Sequence, residues 1–143
     1  MLRKCKKLDI SKFILDNKEF HNINVELFID ETTYNQILDF LLEVDKNNKP
    51  IRIERFRSIL NEILNFRYNK DLYDKPKISK KSIDVTIMKF KRHRGMNYRL
   101  LCKEFISNGK KIVMIILFDK KTTEISKKQR AKMDSIGGYE YDF

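Results

Sequence analysis

Hydrophobic and polar positions alternate most clearly in the second half of the chain. From Val85 to Arg92, Thr86, Met88 and Phe90 share one parity and Lys89 and Lys91 the other. A strand side chain flips face at every step, so one face packs while the other presents lysines side by side. Arg94-Gly95-Met96-Asn97 reads as a turn, and Tyr98-Arg99-Leu100-Leu101 begins a return strand. Ser107-Asn108-Gly109 is a stronger hairpin signal, because Asn and Gly accept the positive φ of tight turns. Ile112 to Phe118 is then apolar at both parities, as expected of a central strand covered on both faces.

The first half mixes the two periods. Ile23, Val25, Leu27 and Ile29 alternate and predict a strand, after which Asp30 is a good helix N-cap. Tyr34, Ile37, Leu38, Leu41 and Val44 follow at helical spacing, predicting an amphipathic helix from 31 to about 46. Asp45 to Lys49 breaks it. Pro50 suits the first position of a second helix, whose stripe of Ile53, Phe56, Leu60, Ile63 and Leu64 runs to about Phe66. Two such helices on a short polar link predict a helical hairpin. Residues 1–22 show no clear period; Leu8 to Leu15 is a short strand or a helical turn, and His21 sits in a polar loop. Tyr68 to Lys81 is a lysine-rich connector interrupted by Pro76, Lys127 to Met133 a short helix closed by Gly137-Gly138, and Tyr139 to Phe143 a flexible or packed tail.

The order predicts one α+β domain: an antiparallel β-sheet, an N-terminal helical hairpin packed on one face, and a short C-terminal helix. Residues 23–134 form its core, 1–22 an N-terminal extension and 135–143 a tail. A composition of 41% hydrophobic and 36% charged residues fits a folded chain rather than a disordered one. No apolar run has the length of a membrane span and no signal-peptide core follows the basic N-terminus, so a cytoplasmic protein is expected. Cys5 and Cys102 lack metal-site spacing and read as reduced thiols.

Charge changes the picture more. The net charge of +11 is concentrated in residues 71–132, with 18 Lys/Arg against 6 Asp/Glu. A block that basic attracts polyanions, chiefly nucleic acid, and suits an acidic protein partner; the bland alternative is a solvated surface.

Asn24-Val25-Glu26-Leu27-Phe28-Ile29-Asp30 running into a helix, then Met88-Lys89-Phe90-Lys91-Arg92, then Asn97-Tyr98-Arg99-Leu100-Leu101, resembles the RelE-type toxins of bacterial toxin–antitoxin systems. Phe118-Asp119-Lys120-Lys121-Thr122, followed by a basic helix, is similar to the closing motif of the HigB-like branch. The resemblance covers residues 23–134 and is specific over 88–121. The first 22 residues and the long connector have no counterpart in the minimal family fold.

The resemblance implies a RelE-like fold and a metal- and cofactor-independent endoribonuclease. Its substrate would be messenger RNA, free or on the ribosome, and a cognate antitoxin would restrain it. Such cleavage needs a group to take the 2′ proton, cations to stabilise the phosphorane and a donor to the leaving oxygen. By resemblance Lys89 and Lys91 match the family's strand lysines, Arg99 its phosphate-contacting arginine, and Lys120 or Lys121 a second cation. Arg92, Arg94 and His93 stand beside them, His93 as a donor or as an exposed turn residue. Tyr98 and Phe90 stack on bases or pack in the core. Two roles stay open for the lysines. A base must shed its proton near neutrality, which costs roughly 4 kcal/mol for a shift of about three pKa units; a cation merely neutralises charge. Lys89 and Lys91 also fit the solvent side of an amphipathic strand, and Lys120 and Lys121 a strand end that discourages edge pairing. The alternative function is a catalytically inactive module that binds nucleic acid or protein, such as a ParE-like protein or a phage or mobile-element regulator.

If the basic block serves RNA, binding weakens steeply with salt, because each neutralised phosphate releases a condensed counterion. A titration that stays flat from low to moderate salt assigns the block another purpose.

Overall fold

A computed structural model of the chain describes residues 2–13, 24–44, 47, 49–91, 97–106, 108–119 and 126–143. The alternating segments of the second half are β4 (Val85–Lys91), β5 (Asn97–Ile106) and β6 (Lys110–Asp119). With β1 (Arg3–Leu8), β2 (Val25–Asp30), β3 (Tyr73–Asp74) and β7 (Tyr141–Asp142) they build one seven-stranded sheet, in the order β3-β4-β5-β6-β2-β1-β7. The helices are α1 (Tyr34–Leu42), α2 (Ile51–Leu64) and α3 (Lys127–Gly137).

The expected RelE-like antiparallel sheet with an N-terminal helical hairpin packed on it is not what forms. The sheet is larger and mixed: β2 runs parallel to β6, and β7 parallel to β1. Two strands precede the helices, and the third helix joins a separate core cluster. The physical reason lies in β1. Its residues, Arg-Lys-Cys-Lys-Lys-Leu, show no apolar alternation, yet the segment pairs antiparallel with β2 from Cys5↔Asp30 to Leu8↔Leu27. A backbone ladder needs no particular side chain, and the exposed lysines protect a strand near the sheet edge.

Strand parity divides the core. Leu27, Ile29, Met88, Phe90, Leu100, Cys102, Ile112 and Met114 pack with Ile37, Phe40 and Leu41 of α1 and Phe56, Ile59 and Leu60 of α2. Phe28, Val85, Ile87, Leu101, Val113 and Ile115 pack with Met133 and Ile136 of α3 and with Tyr141. Truncating the fully buried Phe56 to Ala would cost about 3–5 kcal/mol, the usual loss of transfer and packing energy for a core aromatic. A bulge in β6 interrupts the alternation: Leu101 pairs with Ile116 while Cys102 pairs with Met114. Ile115 is the extra residue, so Ile115 and Ile116 both serve the α3 cluster.

α3 starts on a capping box in which Ser126 Oγ accepts from Gln129 N and Gln129 returns a bond to Ser126 N. It extends four residues beyond the predicted Met133 and takes in Gly137. A Cβ there would lie 1.7 Å from Lys81 O, so the helix end docks on the backbone where only glycine fits. The tail is packed: Tyr141 is buried and pairs in β7 with Arg3 of β1.

Asp30 joins these parts. Its Oδ1 accepts from Thr32 N at 2.8 Å, capping the turn before α1, while Oδ2 accepts from Arg3 Nε at 3.0 Å and Tyr141 Oη at 2.6 Å. Burial would raise this carboxyl, but the bonds from Thr32, Tyr141 and Arg3 outweigh burial and hold it below the usual carboxylate range. A depressed folded-state value stabilises the fold above the unfolded value near 3.9 and loses that contribution as pH falls through the folded one. Acid unfolding of the native chain should therefore show a component below about pH 4. Asp30→Asn should be less stable at pH 7 by about 1–3 kcal/mol and lack that component, measured by denaturant melts at several pH values.

Candidate functional site

The alternation of β4 sends Met88 and Phe90 to α1 and α2, leaving Lys89 and Lys91 on the opposite parity. On β5, Leu100 and Cys102 join the same helices, so Arg99 shares the face of Lys89 and Lys91. The register brings them together: Lys89 is paired with Arg99, Lys91 with Asn97, and Arg99 with Phe118 on its other side. Three of the residues singled out by sequence thus form one row across adjacent strands, on the α3 face.

Tyr98 does not join them. It points to the other face, its ring 5.1 Å from that of Phe40 with the Arg52 guanidinium 5.1 Å above it. An edge-on ring contact and a cation–π contact already hold it in the packing of α1 and α2. Arg92, His93, Arg94, Lys120 and Lys121 lie outside the described residues.

The row is unequally neutralised. Lys89 Nζ lies 3.3 Å from Asp74 Oδ2 and Lys91 Nζ 3.6 Å from Asp71 Oδ1, the second pair largely exposed. Arg99 is only 4% exposed. Its one hydrogen bond among the described residues runs from Nη1 to the neighbouring Tyr98 O at 3.3 Å, and its buried Nε has no acceptor. Burial, and the positive charge of Arg55, push this guanidinium below its usual value. A guanidinium in this state carries a desolvation penalty that no carboxylate among the described residues offsets.

Arg55 is the residue that sequence reading missed. It lies between the stripe positions of α2 and reads as solvent-facing. In the structure its Nε donates to Lys89 O at 3.0 Å and its Nη2 to Asp71 O at 2.5 Å. Nothing in the helical period distinguishes it from Arg52 or Arg57; only the pairing of β4 makes it adjacent to the site.

No family model, curated protein or solved structure matches this chain.

A second polar cluster lies at the far end of β5. Glu104 is buried, with Oε1 accepting from Tyr68 Oη at 2.7 Å and Lys75 Nζ at 3.2 Å, and Oε2 from Tyr73 Oη at 2.7 Å and Lys110 Nζ at 3.4 Å. Burial raises Glu104, but the tyrosine bonds and the two lysines bring its carboxyl below the ordinary value. Both oxygens are satisfied, the mark of a structural network. Neither thiol is activated: burial pushes Cys5 up to about 11 and the fully buried Cys102 higher still. Among the described residues no helix is long and apolar enough to cross a membrane.

The Lys89–Arg99 row is an array of donors with one unspent guanidinium. Its chemistry is to take an oxyanion, and the planar fork of Arg99 matches two phosphate oxygens. Because a buried unpaired charge is costly, Arg99→Met should leave thermal stability unchanged or raise it, by up to about 1–4 kcal/mol. A loss of several kcal/mol on calorimetry or chemical melts would show that Arg99 holds the fold together instead.

Proposed function

We propose that the protein is an RNA-binding endoribonuclease of the toxin type, acting at the Lys89–Lys91–Arg99 row. The observation that carries this reading is Arg99: a buried guanidinium with no carboxylate partner among the described residues, in register beside a lysine, in a chain of net charge +11. The likeness of residues 88–121 to the RelE/HigB toxins adds support at the level of the motif. The architecture adds none.

In this reading Arg99 contacts the non-bridging oxygens of the scissile phosphate and Lys89 and Lys91 neutralise the charge that grows on them. The ribose 2′ oxygen attacks phosphorus and the P–O5′ bond breaks, leaving a 2′,3′-cyclic phosphate on one fragment and a 5′-hydroxyl on the other. One of the lysines, or a neighbouring group, takes the 2′ proton, and a second ammonium of the row or a water gives one to the departing 5′ oxygen. The partner proposed is an acidic antitoxin-type protein that competes with RNA for the same surface. The second reading is a non-enzymatic nucleic-acid binder. Asp74 beside Lys89 favours it, because a lysine held in an ion pair suits a clamp, which needs only its charge, better than a base that must take a proton.

Lys91→Ala and Arg99→Ala should each reduce cleavage by about two or more orders of magnitude while both variants stay folded. Cleavage should persist in EDTA, since the route uses the chain's own cations, and a 2′-deoxyribose at the cut should block it. The assay pairs naked RNA with translating ribosomes. If the native protein binds RNA but leaves it intact in both settings, the clamp reading replaces the nuclease.

A further inference from the structure

Strand β4 is longer than its outer neighbour. β3 covers it for two residues only, Tyr73↔Met88 and Asp74↔Ile87, and at the next position the ladder is half made. Lys89 N donates to Leu72 O at 2.8 Å, but Leu72 N turns back to Asn69 O at 3.1 Å. Lys89 O therefore faces the sheet edge without a strand donor. Arg55, reaching over from α2, supplies that bond through Nε, and the same guanidinium holds the turn at Asp71 O.

We infer that Arg55 is a positioning residue of the proposed phosphate site: it stands in for the missing strand and fixes the Lys89 end of β4 beside Arg99. The inference rests on the reading of this row as the RNA site. Lys89 and Lys91 are the last outward residues of β4, and Asp74 and Asp71, their carboxylate partners, come from the turn and strand just before it. One guanidinium bonded to Lys89 O and Asp71 O holds both elements at the spacing the row requires. Its planar fork makes two directed bonds from one rigid group, which an ammonium on a flexible stem does not reproduce. Arg57, two residues on, is a built-in control: its Nε donates to Phe13 O at 2.8 Å, so it also ties α2 to another segment, but one remote from β4.

The test compares Arg55→Lys with Arg57→Lys in the full chain. Both keep the net charge and both replace a guanidinium bonded to backbone. The readouts are affinity for a short single-stranded RNA and amide hydrogen exchange at Lys89. Arg55→Lys should weaken RNA binding about tenfold, the equivalent of one charge-assisted hydrogen bond misplaced, and should speed exchange of the Lys89 amide. Arg57→Lys should do neither, even where it lowers the melting temperature as much. Equal loss of affinity in the two variants, or native affinity and native Lys89 protection in Arg55→Lys, overturns the inference. If the native protein binds no RNA, the functional reading fails by itself, and the exchange comparison still decides whether Arg55 fixes the end of β4.

Discussion

Strand β6 has to be dry on both faces. Ile112 and Met114 face α1 and α2, Val113 and Ile115 face α3, and each is at most 1% exposed. A strand of this kind is stable only with a layer on either side, so helices occupy both faces of the sheet at its centre. Charged groups are displaced to the strand ends. β5 shows the result, with an apolar middle, Arg99 towards one end and Glu104 towards the other.

These two ends treat a buried charge in opposite ways. Glu104 is surrounded by two phenols and two ammonium groups, and together they outweigh the cost of removing it from water. Arg99 has no such shell among the described residues. Leaving a cation in that condition lowers the stability of the protein. This contrast separates a satisfied network from an unsatisfied group, although both are buried ionisable residues on one strand.

Of the three strands between 85 and 119, β4 was legible by period two and β6 as a run apolar at both parities, with Asn108-Gly109 marking the turn between β5 and β6; the structure places Asn108 at φ 51° and Gly109 at φ 105°. β1 was not legible, since a ladder made by backbone atoms leaves no trace in Arg-Lys-Cys-Lys-Lys-Leu. β3 and β7 are two residues each, too short to carry a period. The architecture built from these unseen strands is what departs from the RelE-like expectation. The shared face of Lys89, Lys91 and Arg99 followed from parity, while the removal of Tyr98 to the other face is the same rule applied one residue earlier. Charge counting was a poorer guide. Lys75 and Lys110 are spent on Glu104, Lys103 on the carbonyls of Gly137 and Tyr139 at the end of α3, and Lys111 on Glu26. These four lysines of the basic block are committed to internal contacts.

What sets the electrostatics of the row is therefore the connector, not the block itself. Residues 68–81 read as a lysine-rich link, yet Asp71 and Asp74 within it neutralise Lys91 and Lys89, and Arg55 holds its backbone at Asp71. Without those two carboxylates the row would present four cations, counting Arg55, to any polyanion. With them, Arg99 is the one member of the row that lacks solvent and, among the described residues, a carboxylate. Long-range attraction of a polyanion to the row is correspondingly moderated. A likeness in fold would not have predicted this balance, because it depends on where one short turn lies against one strand end.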